Sequence, residues 1–571
     1  MNTKNILYIF IVLALVLGSC APATTEVPPE DTPVVPPEET PVVPPPEEPT
    51  PEPPAERKLV RLIFTQEFDT LNPIYTNMWF SAITQQIWNA WAWDFDVDNN
   101  PRPILVSEIP SLDNGGISPD GTVITLTLRD NIVWSDGTPI TSDDFRFTYE
   151  MIVDPNNTVA STYPYDLIVS LETPDAYTVV TTFEEPFAPW VGALWNVILP
   201  AHILRPVYEA EGTIDTAAWN WEPTVGAGPF VFAEWESGSF ARFVANDNYW
   251  LGRPKIDEVF IRFVPDDASQ VAALLAGDGD LGTFISYSDI GALEDAGLDI
   301  FSVPSGYNEL LFFYLHPENA HPALFDVRVR QAIALAFDRF AINEDLLLGL
   351  TEPAVSYWDN TPYVDPSLSP WPYDPERARQ LLDEAGWIDT NGDGVRDKDG
   401  VELVLTYGTT TRQIRQDTQA VAQQQLAEVG IQVELYNYDP DIYFSGYGEG
   451  GPAATGQLDL FQYSTTTNYP DPDTADYLCS EIPTDESPAG VNWAALCDEE
   501  LDRLFRLQAT QVDFEARQQT YWEMSRIMYE QVYILGVWRD PDIWAVNERV
   551  LNVELSGATP FFNILEWDLL P

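Results

Sequence analysis

Lysine and histidine are nearly missing from this 571-residue chain. Lysine stands only at positions 4, 58, 255 and 398, and histidine only at His202, His316 and His321. Against 90 acidic side chains, 27 lysines and arginines leave a formal net charge of −63. Such a surface repels phosphate backbones and anionic headgroups, which argues against nucleic acid or a charged lipid face as partner. Three histidines are too few for a His-rich catalytic metal centre; His316 and His321, five apart around prolines, read as loop surface, with metal binding as the alternative. The His-Glu-x-x-His helix, the Gly-x-Ser-x-Gly elbow and the Walker loop are all absent. So many acids guarantee chance carboxylate pairs, so composition alone leaves a glycosidase open. Beyond the N-terminal leader, no apolar run is long enough to span a bilayer.

Cysteine is scarce too, with three in all, and the first is the most informative. Cys20 closes a leader in which Lys4 is the only positive charge and Ile6 to Leu17 is almost wholly apolar. About twelve apolar residues suit a cleaved signal better than a permanent span. With Leu17-Gly18-Ser19 before it, Cys20 fits the lipid-attachment position of a bacterial lipoprotein; a plain signal peptide cut elsewhere is the alternative. Residues 1–19 are thus expected as signal peptide. Residues 20–57, dominated by Pro, Glu, Thr and Val, are expected as a stiff, solvated tether of polyproline character. Either reading places the protein outside the cytoplasm. That setting permits a disulfide between Cys479 and Cys497, worth roughly 3 kcal/mol in the chain-entropy account, with two buried thiols as the alternative.

The remaining residues exceed what one core usually serves, so at least two lobes are expected. Leu59–Phe64, Val123–Leu128, Phe230–Phe232 and Val259–Val264 read as strands. Phe145–Met151 begins a helix with Asp143 or Asp144 near its N-terminus. Phe325–Phe340 reads as one helix with Asp326 as N-cap. Asp374-Pro375 starts another that ends before Gly386. Leu403–Tyr407, the helix Gln413–Val429 and Ile431–Tyr438 make a β-α-β unit.

Several motifs occur in one order: Leu128-Arg129 with Trp134-Ser135-Asp136-Gly137-Thr138-Pro139 and Asp144-Phe145; Gly226-Ala227-Gly228-Pro229-Phe230; Asn246 to Pro254; Val327 to Arg339; and Asp374 to Trp387. Together they resemble the large solute-binding proteins of peptide-type ABC importers, the oligopeptide, dipeptide and nickel group. The resemblance covers essentially 59–571. It implies an α/β, two-lobed periplasmic-binding-protein-like fold of class II, the large peptide-binding type with an extra inserted domain. Lobe I would comprise 58–79, 201–305 and 536–571, the inserted domain 80–200, and lobe II 306–535. It also implies a monomeric, non-enzymatic receptor without cofactor, which encloses an oligopeptide or oligosaccharide and passes it to ABC permease subunits. An extracellular glycan or peptide hydrolase and an anchored acidic scaffold are the alternatives.

Two segments carry the site expectations. Asp389, Asn391, Asp393, Val395 and Asp397 place oxygen ligands as in the first part of an EF-hand loop, with Gly394 at the sixth position. Position twelve is Gly400 rather than Glu, so structural calcium and an acidic hairpin loop both fit. The second segment is Gln462 to Pro472. In peptide-binding relatives it carries a Trp and, three residues on, an Asp that pairs with the peptide amine. Here Thr465 and Asn468 occupy those places. An amide accepts a hydrogen bond but cannot neutralise an ammonium, so a free amine would need Asp471 or Asp473. Tyr463, Thr465, Asn468, Tyr469 and Asp471, with Asn89 and Trp91 of the family's cleft strand, are the expected ligand-binding residues. Tryptophans including Trp79, Trp88, Trp93, Trp358 and Trp371 could pack on sugar rings or simply fill cores.

Overall fold

Two unusually long strands, Leu298–Phe313 and Ile534–Asn547, tie the molecule together. The computed structural model describes residues 57–76, 78–465, 469–472 and 474–570. The expected signal peptide, Cys20, the tether up to residue 56, Asn468 and Asp473 therefore lie outside the described residues. Among the described residues, no helix is long and apolar enough to cross a membrane.

The two long strands run antiparallel through the middle of a ten-stranded mixed sheet. On one side lie Leu281–Thr283, Leu59–Phe64, Glu258–Phe263, Phe240–Ala245 and Phe230–Glu236. On the other lie Leu460–Thr465, Val404–Thr410 and Gln432–Tyr438. Period-two alternation gives each half two buried faces. Leu62 and Phe64 enter one core while Ile63 enters another. In the second half Leu311 and Phe313 face one core, and Leu310 and Phe312 the opposite one. A separate three-stranded antiparallel sheet, built from Val123–Thr127, Ile168–Asp175 and Thr178–Phe183, belongs to the segment 80–200. Its apolar side chains, such as Leu126, Phe147 and Trp195, are continuous with the core of the first half.

Local chemistry explains the elements. Val404–Thr410 and Gln432–Tyr438 are parallel, as a β-α-β unit requires, with Gln413–Glu428 between them. Thr141 caps the helix Ser142–Val153 in a reciprocal box with Asp144, so one of the acids expected near that N-terminus has a direct part in the cap. Asp374 caps Pro375–Glu384, and Gly386 follows in the left-handed region at φ +82°. The single helix expected over 325–340 is instead two. Val327–Ala336 ends at Phe337, whose φ of −102° and ψ of 107° are extended, and Asp338 caps Arg339–Asp345 by accepting from Ala341 N. The second cap supplies an acceptor for the new N-terminus, so the chain turns where apolar periodicity alone continues.

The shared motifs knit one junction. Ser135 N donates to Gly226 O (2.8 Å), Asn248 Nδ2 to Ser135 O (2.9 Å) and Asn246 Nδ2 to Gly228 O (2.9 Å). Gly226 and Gly228 press on the backbone at Trp88 and Asn89; a Cβ at Gly226 would stand 2.1 Å from Trp88 O. Gly226→Ala should therefore lower unfolding free energy by about 2–3 kcal/mol, the range of core overpacking, read from the urea midpoint. An unchanged midpoint would show that the two segments separate without strain.

Candidate functional site

Proline has no N–H to give a ladder, and glycine adds backbone freedom. Both occur where the long strands pass from one half of the sheet to the other. Pro304 is paired with Pro541, and the next register pair is Asn308 with Arg539. Ser305, Gly306 and Tyr307 thus bulge out against Asp540 alone. Such a bulge breaks the ladder and re-aims side chains. Neighbours fix its edges: Ser305 Oγ donates to Asp540 O, Asn360 Nδ2 to Ser305 O (3.0 Å) and Asn308 Nδ2 to Tyr357 O (3.2 Å).

The bulge floors a cavity of about 560 Å³. Trp79, Phe284, Gly557 and Ala558 line it from the first half, and Arg412, Ser464 and Tyr469 from the second. Trp79 and Phe284 pack ring to ring at 4.8 Å, making an aromatic wall. Tyr307 is half exposed above the bulge. Tyr469 Oη donates to Pro304 O (3.1 Å), and Gly557 makes room, since a Cβ there would stand 1.9 Å from that oxygen. A second cavity of about 580 Å³ begins past Tyr469, at Pro470 and Asp471. It lies between 95–117 and 188–191 on one side and 362–363 and 511–517 on the other. Across the cleft, Ala188 N donates to Ala509 O (3.1 Å), Arg517 Nη1 to Ala188 O (3.4 Å) and Asn99 Nδ2 to Asn360 O (3.4 Å), Asn360 being the residue that holds Ser305 of the bulge. These links lie along the second cavity, which Asn99 and Ala188 line.

Charge in the first cavity is unevenly compensated. Asp540 accepts from Ser464 Oγ (2.8 Å) and Trp538 Nε1 (3.3 Å), with Arg412 Nη1 at 3.5 Å. Asp542, two residues on and 9% exposed, makes no hydrogen bond or ion pair with the described residues. Burial, reinforced by the Asp540 charge, pushes its carboxyl up to about 7. The other buried carboxylates nearby are satisfied. Glu309 accepts from Arg415 at both oxygens (2.8 and 2.9 Å), and Asp359 accepts from two backbone N–H groups, Ser356 Oγ and Arg539.

The expected site residues divide. Tyr469 lines the first cavity and Asp471 the second. Asp471 is bound to Arg517, a buried guanidinium that also donates to Tyr363 Oη (2.9 Å) and Pro472 O (2.8 Å). Tyr463 and Thr465 point away from the first cavity, because Ser464 between them faces it. Tyr463 stacks on Phe312 at 4.7 Å, and Thr465 Oγ1 lies 3.3 Å from Tyr357 Oη. Asn89 and Trp91 line a different cavity of about 360 Å³, which shares no lining residue with the first. Asn89 Nδ2 donates to Ile198 O (3.2 Å). Trp88, Trp93 and Trp358 are core. The sequence reading passed over Tyr307, Phe284, Arg412, Asp540 and Asp542; acid–proline–acid inside an apolar strand was the available signal.

In the 389–397 loop, Asp389 accepts from Gly392 N (2.6 Å) and Gly394 N (3.0 Å), and Asp397 from Thr390 N (3.0 Å). Asn391 Nδ2 donates to Asp393 (2.8 Å). Among the described residues, no group of three or more His, Cys, Asp or Glu side chains is placed to hold a metal ion. Cys479 and Cys497 are joined as a disulfide, their Cα atoms 4.9 Å apart.

A sheet shared by two halves, crossed by two strands and enclosing cavities at the crossing, defines a two-lobed solute-binding protein. Residues 100–480 match the family model of bacterial extracellular solute-binding proteins, family 5 (middle region), and the chain belongs to that family. It is 31% identical over 368 residues to the oligopeptide-binding protein AppA of Bacillus subtilis; the match covers 63% of each chain, so less than two thirds of that relative is spanned. It is 32% identical over 382 residues to a putative ABC transporter peptide-binding protein of Brucella ovis, covering 66% of this chain and 68% of the relative. Among solved structures, the ABC transporter substrate-binding protein CtaP of Listeria monocytogenes superposes with a TM-score of 0.73 at 22% identity, over 90% of this chain and 99% of the other. NikZ of Campylobacter jejuni, in complex with Ni(L-His), gives 0.68 at 22%, over 90% and 100%. At these identities the superpositions speak to fold alone.

Asp542 has a consequence for stability. Its folded pKa exceeds the ordinary 3.8, so folding binds a proton between about 4 and 7. The cost of its charge is absent below about pH 4 and complete above about pH 7. At about 1.4 kcal/mol per tenfold change in proton affinity, the ceiling is about 4 kcal/mol. Asp542→Asn should match the wild type in melting temperature at pH 4 and exceed it at pH 8. A constant difference across that range would mean that Asp542 is solvated or paired.

Proposed function

We propose that this chain is the receptor of an ABC importer, and that it encloses a short peptide at the strand crossing and presents it to membrane permease subunits. One observation carries the reading: a cavity of about 560 Å³, within the roughly 300–1,000 Å³ of small-ligand sites, is floored by the three-against-one break in the ladder joining the two halves. The peptide class is supported by the named binding partners of the sequence relatives, AppA and the Brucella protein. The aromatic wall of Trp79 and Phe284 supplies apolar area and the polar groups supply orientation. A ligand touching both sides favours the closed arrangement only by its greater affinity for it.

A second reading, hydrolysis of glycans, has one observation in its favour: a carboxyl held partly protonated near neutrality beside another carboxylate. An oligosaccharide bound unaltered would use the same aromatic wall. Native mass spectrometry of protein purified from its own host separates these. A co-purified peptide supports the receptor; a sugar of constant mass redirects the ligand class; a shortened glycan after incubation overturns the receptor reading.

Two further outcomes are expected. Trp79→Ala should weaken peptide binding at least tenfold, read by calorimetry at a temperature where the variant is still fully folded. Equal affinity would remove Trp79 from the site. The lipid anchor is proposed on Cys20; Cys20→Ser should move the protein from the membrane fraction to the soluble fraction, and unchanged partition would reject the anchor.

A further inference from the structure

We infer that Asp542 is the receptor for a cationic group of the ligand, with Asp540 held beside it by Arg412 and Ser464 as a fixed negative neighbour. This rests on the receptor reading and specifies what its first cavity recognises. The argument is one of charge balance. Asp540 has Arg412 as its cationic partner at 3.5 Å. Asp542 has none among the described residues, although it is nine-tenths buried and faces open space. Arg539, the other nearby cation, is turned to Asp359 (3.3 Å) and Glu352 (3.8 Å). The cavity thus carries one surplus carboxylate. A buried, unpaired carboxylate is destabilising by itself. A ligand ammonium would supply the missing counterion and two or more donors.

Of the two carboxylates expected to meet a free amine, Asp473 lies outside the described residues and Asp471 is already used. Asp471 is neutralised by Arg517 within a buried cluster that includes Tyr363, Gln508 and Tyr521. Removing it from that guanidinium to serve a ligand would leave a buried positive charge. The aromatic faces of Trp79, Phe284, Tyr307 and Tyr469 around the first cavity suit the same ligand, because rings attract a cation beside a carboxylate. The charged and titratable groups facing Asp542 are Asp540 on its own strand, Tyr307 on the paired strand, and Arg412 and Tyr469 from the second half. Of these only Asp540 acts strongly on it. A bound cation would ionise Asp542 fully, so binding near pH 7 should release about half a proton per site.

An α-ammonium and a basic side chain present the same chemistry, and the test separates them. Four randomised tetrapeptide pools are titrated into the full protein by calorimetry: free or Nα-acetylated, each with or without Lys and Arg. The inference expects cationic pools to bind at least tenfold more tightly than the neutral acetylated pool, with proton release at pH 7 seen by comparing buffers of different ionisation enthalpy. Asp542→Asn should remove both the preference and the proton release, and Asp542→Glu should retain the preference. If acetylation abolishes the preference, the source is the α-ammonium; if Lys and Arg restore it in acetylated pools, it is the side chain. Equal binding of all pools, or a preference intact in Asp542→Asn, would overturn the inference while leaving the receptor reading standing. Binding of no pool would overturn both.

Discussion

The structure depends on an interruption. Two strands long enough to belong to both halves must carry the sheet across the molecule, and an unbroken ladder would make the halves one rigid plate. Facing prolines at 304 and 541 withdraw two donors, and three residues opposed to one prevent the ladder from closing over the gap. The same gap creates the cavity floor. The connection that permits movement and the surface that meets ligand are therefore one feature, and Tyr307 and Asp540 belong to both.

Around this gap, buried charge is treated in two ways. Asp280 is held by Arg549 and the Arg61 N–H, Glu309 by Arg415 and Gln462, and Asp471 by Arg517. Each has enough donors to offset desolvation, so each fixes local geometry. Asp542 differs in kind. It stands in the same low-dielectric setting and lacks partners, so it weakens the fold at neutral pH instead of holding it. A destabilising charge in a cavity is what a binding site shows before its ligand arrives.

Much of the architecture was legible in the sequence because it rests on short-range rules. Leu59–Phe64 appears as a strand with the expected ends, and Asp374-Pro375 with Gly386 brackets its helix, because alternation, caps and left-handed glycines act within a few residues. The break at Phe337 was missed because the apolar pattern continues through it while the cap at Asp338 decides otherwise. The cavity was harder still. Its walls come from residues near 79, 284, 306, 412, 464 and 540, and no local pattern brings those together. The segment 463–471 drew attention by resemblance, yet in Tyr463-Ser464-Thr465 it is the plain middle serine that faces the cavity. Alternation was there to be read, but the face it selects depends on the register with Leu298–Phe313.

The bridging contacts bear on how such a receptor would signal that it is full. The polar links include the backbone hydrogen bond from Ala188 to Ala509, the bond from the Arg517 guanidinium to Ala188 O and the side-chain bond from Asn99 to Asn360, joined by Val512 against Gly121. A neutral hydrogen bond nets about 1 kcal/mol in water. Turning a two-state balance fully over takes about 5.5 kcal/mol of differential affinity. A hydrogen bond to a charged group contributes about 1.5–3 kcal/mol, and burial of apolar ligand surface against Trp79 adds about 25 cal/mol for each Å². A ligand that satisfied Asp542 and covered the aromatic wall would supply energy of the required order, the charged contact adding to the apolar burial. The surplus carboxylate would then do more than select the ligand: it would make closure conditional on the ligand's charge.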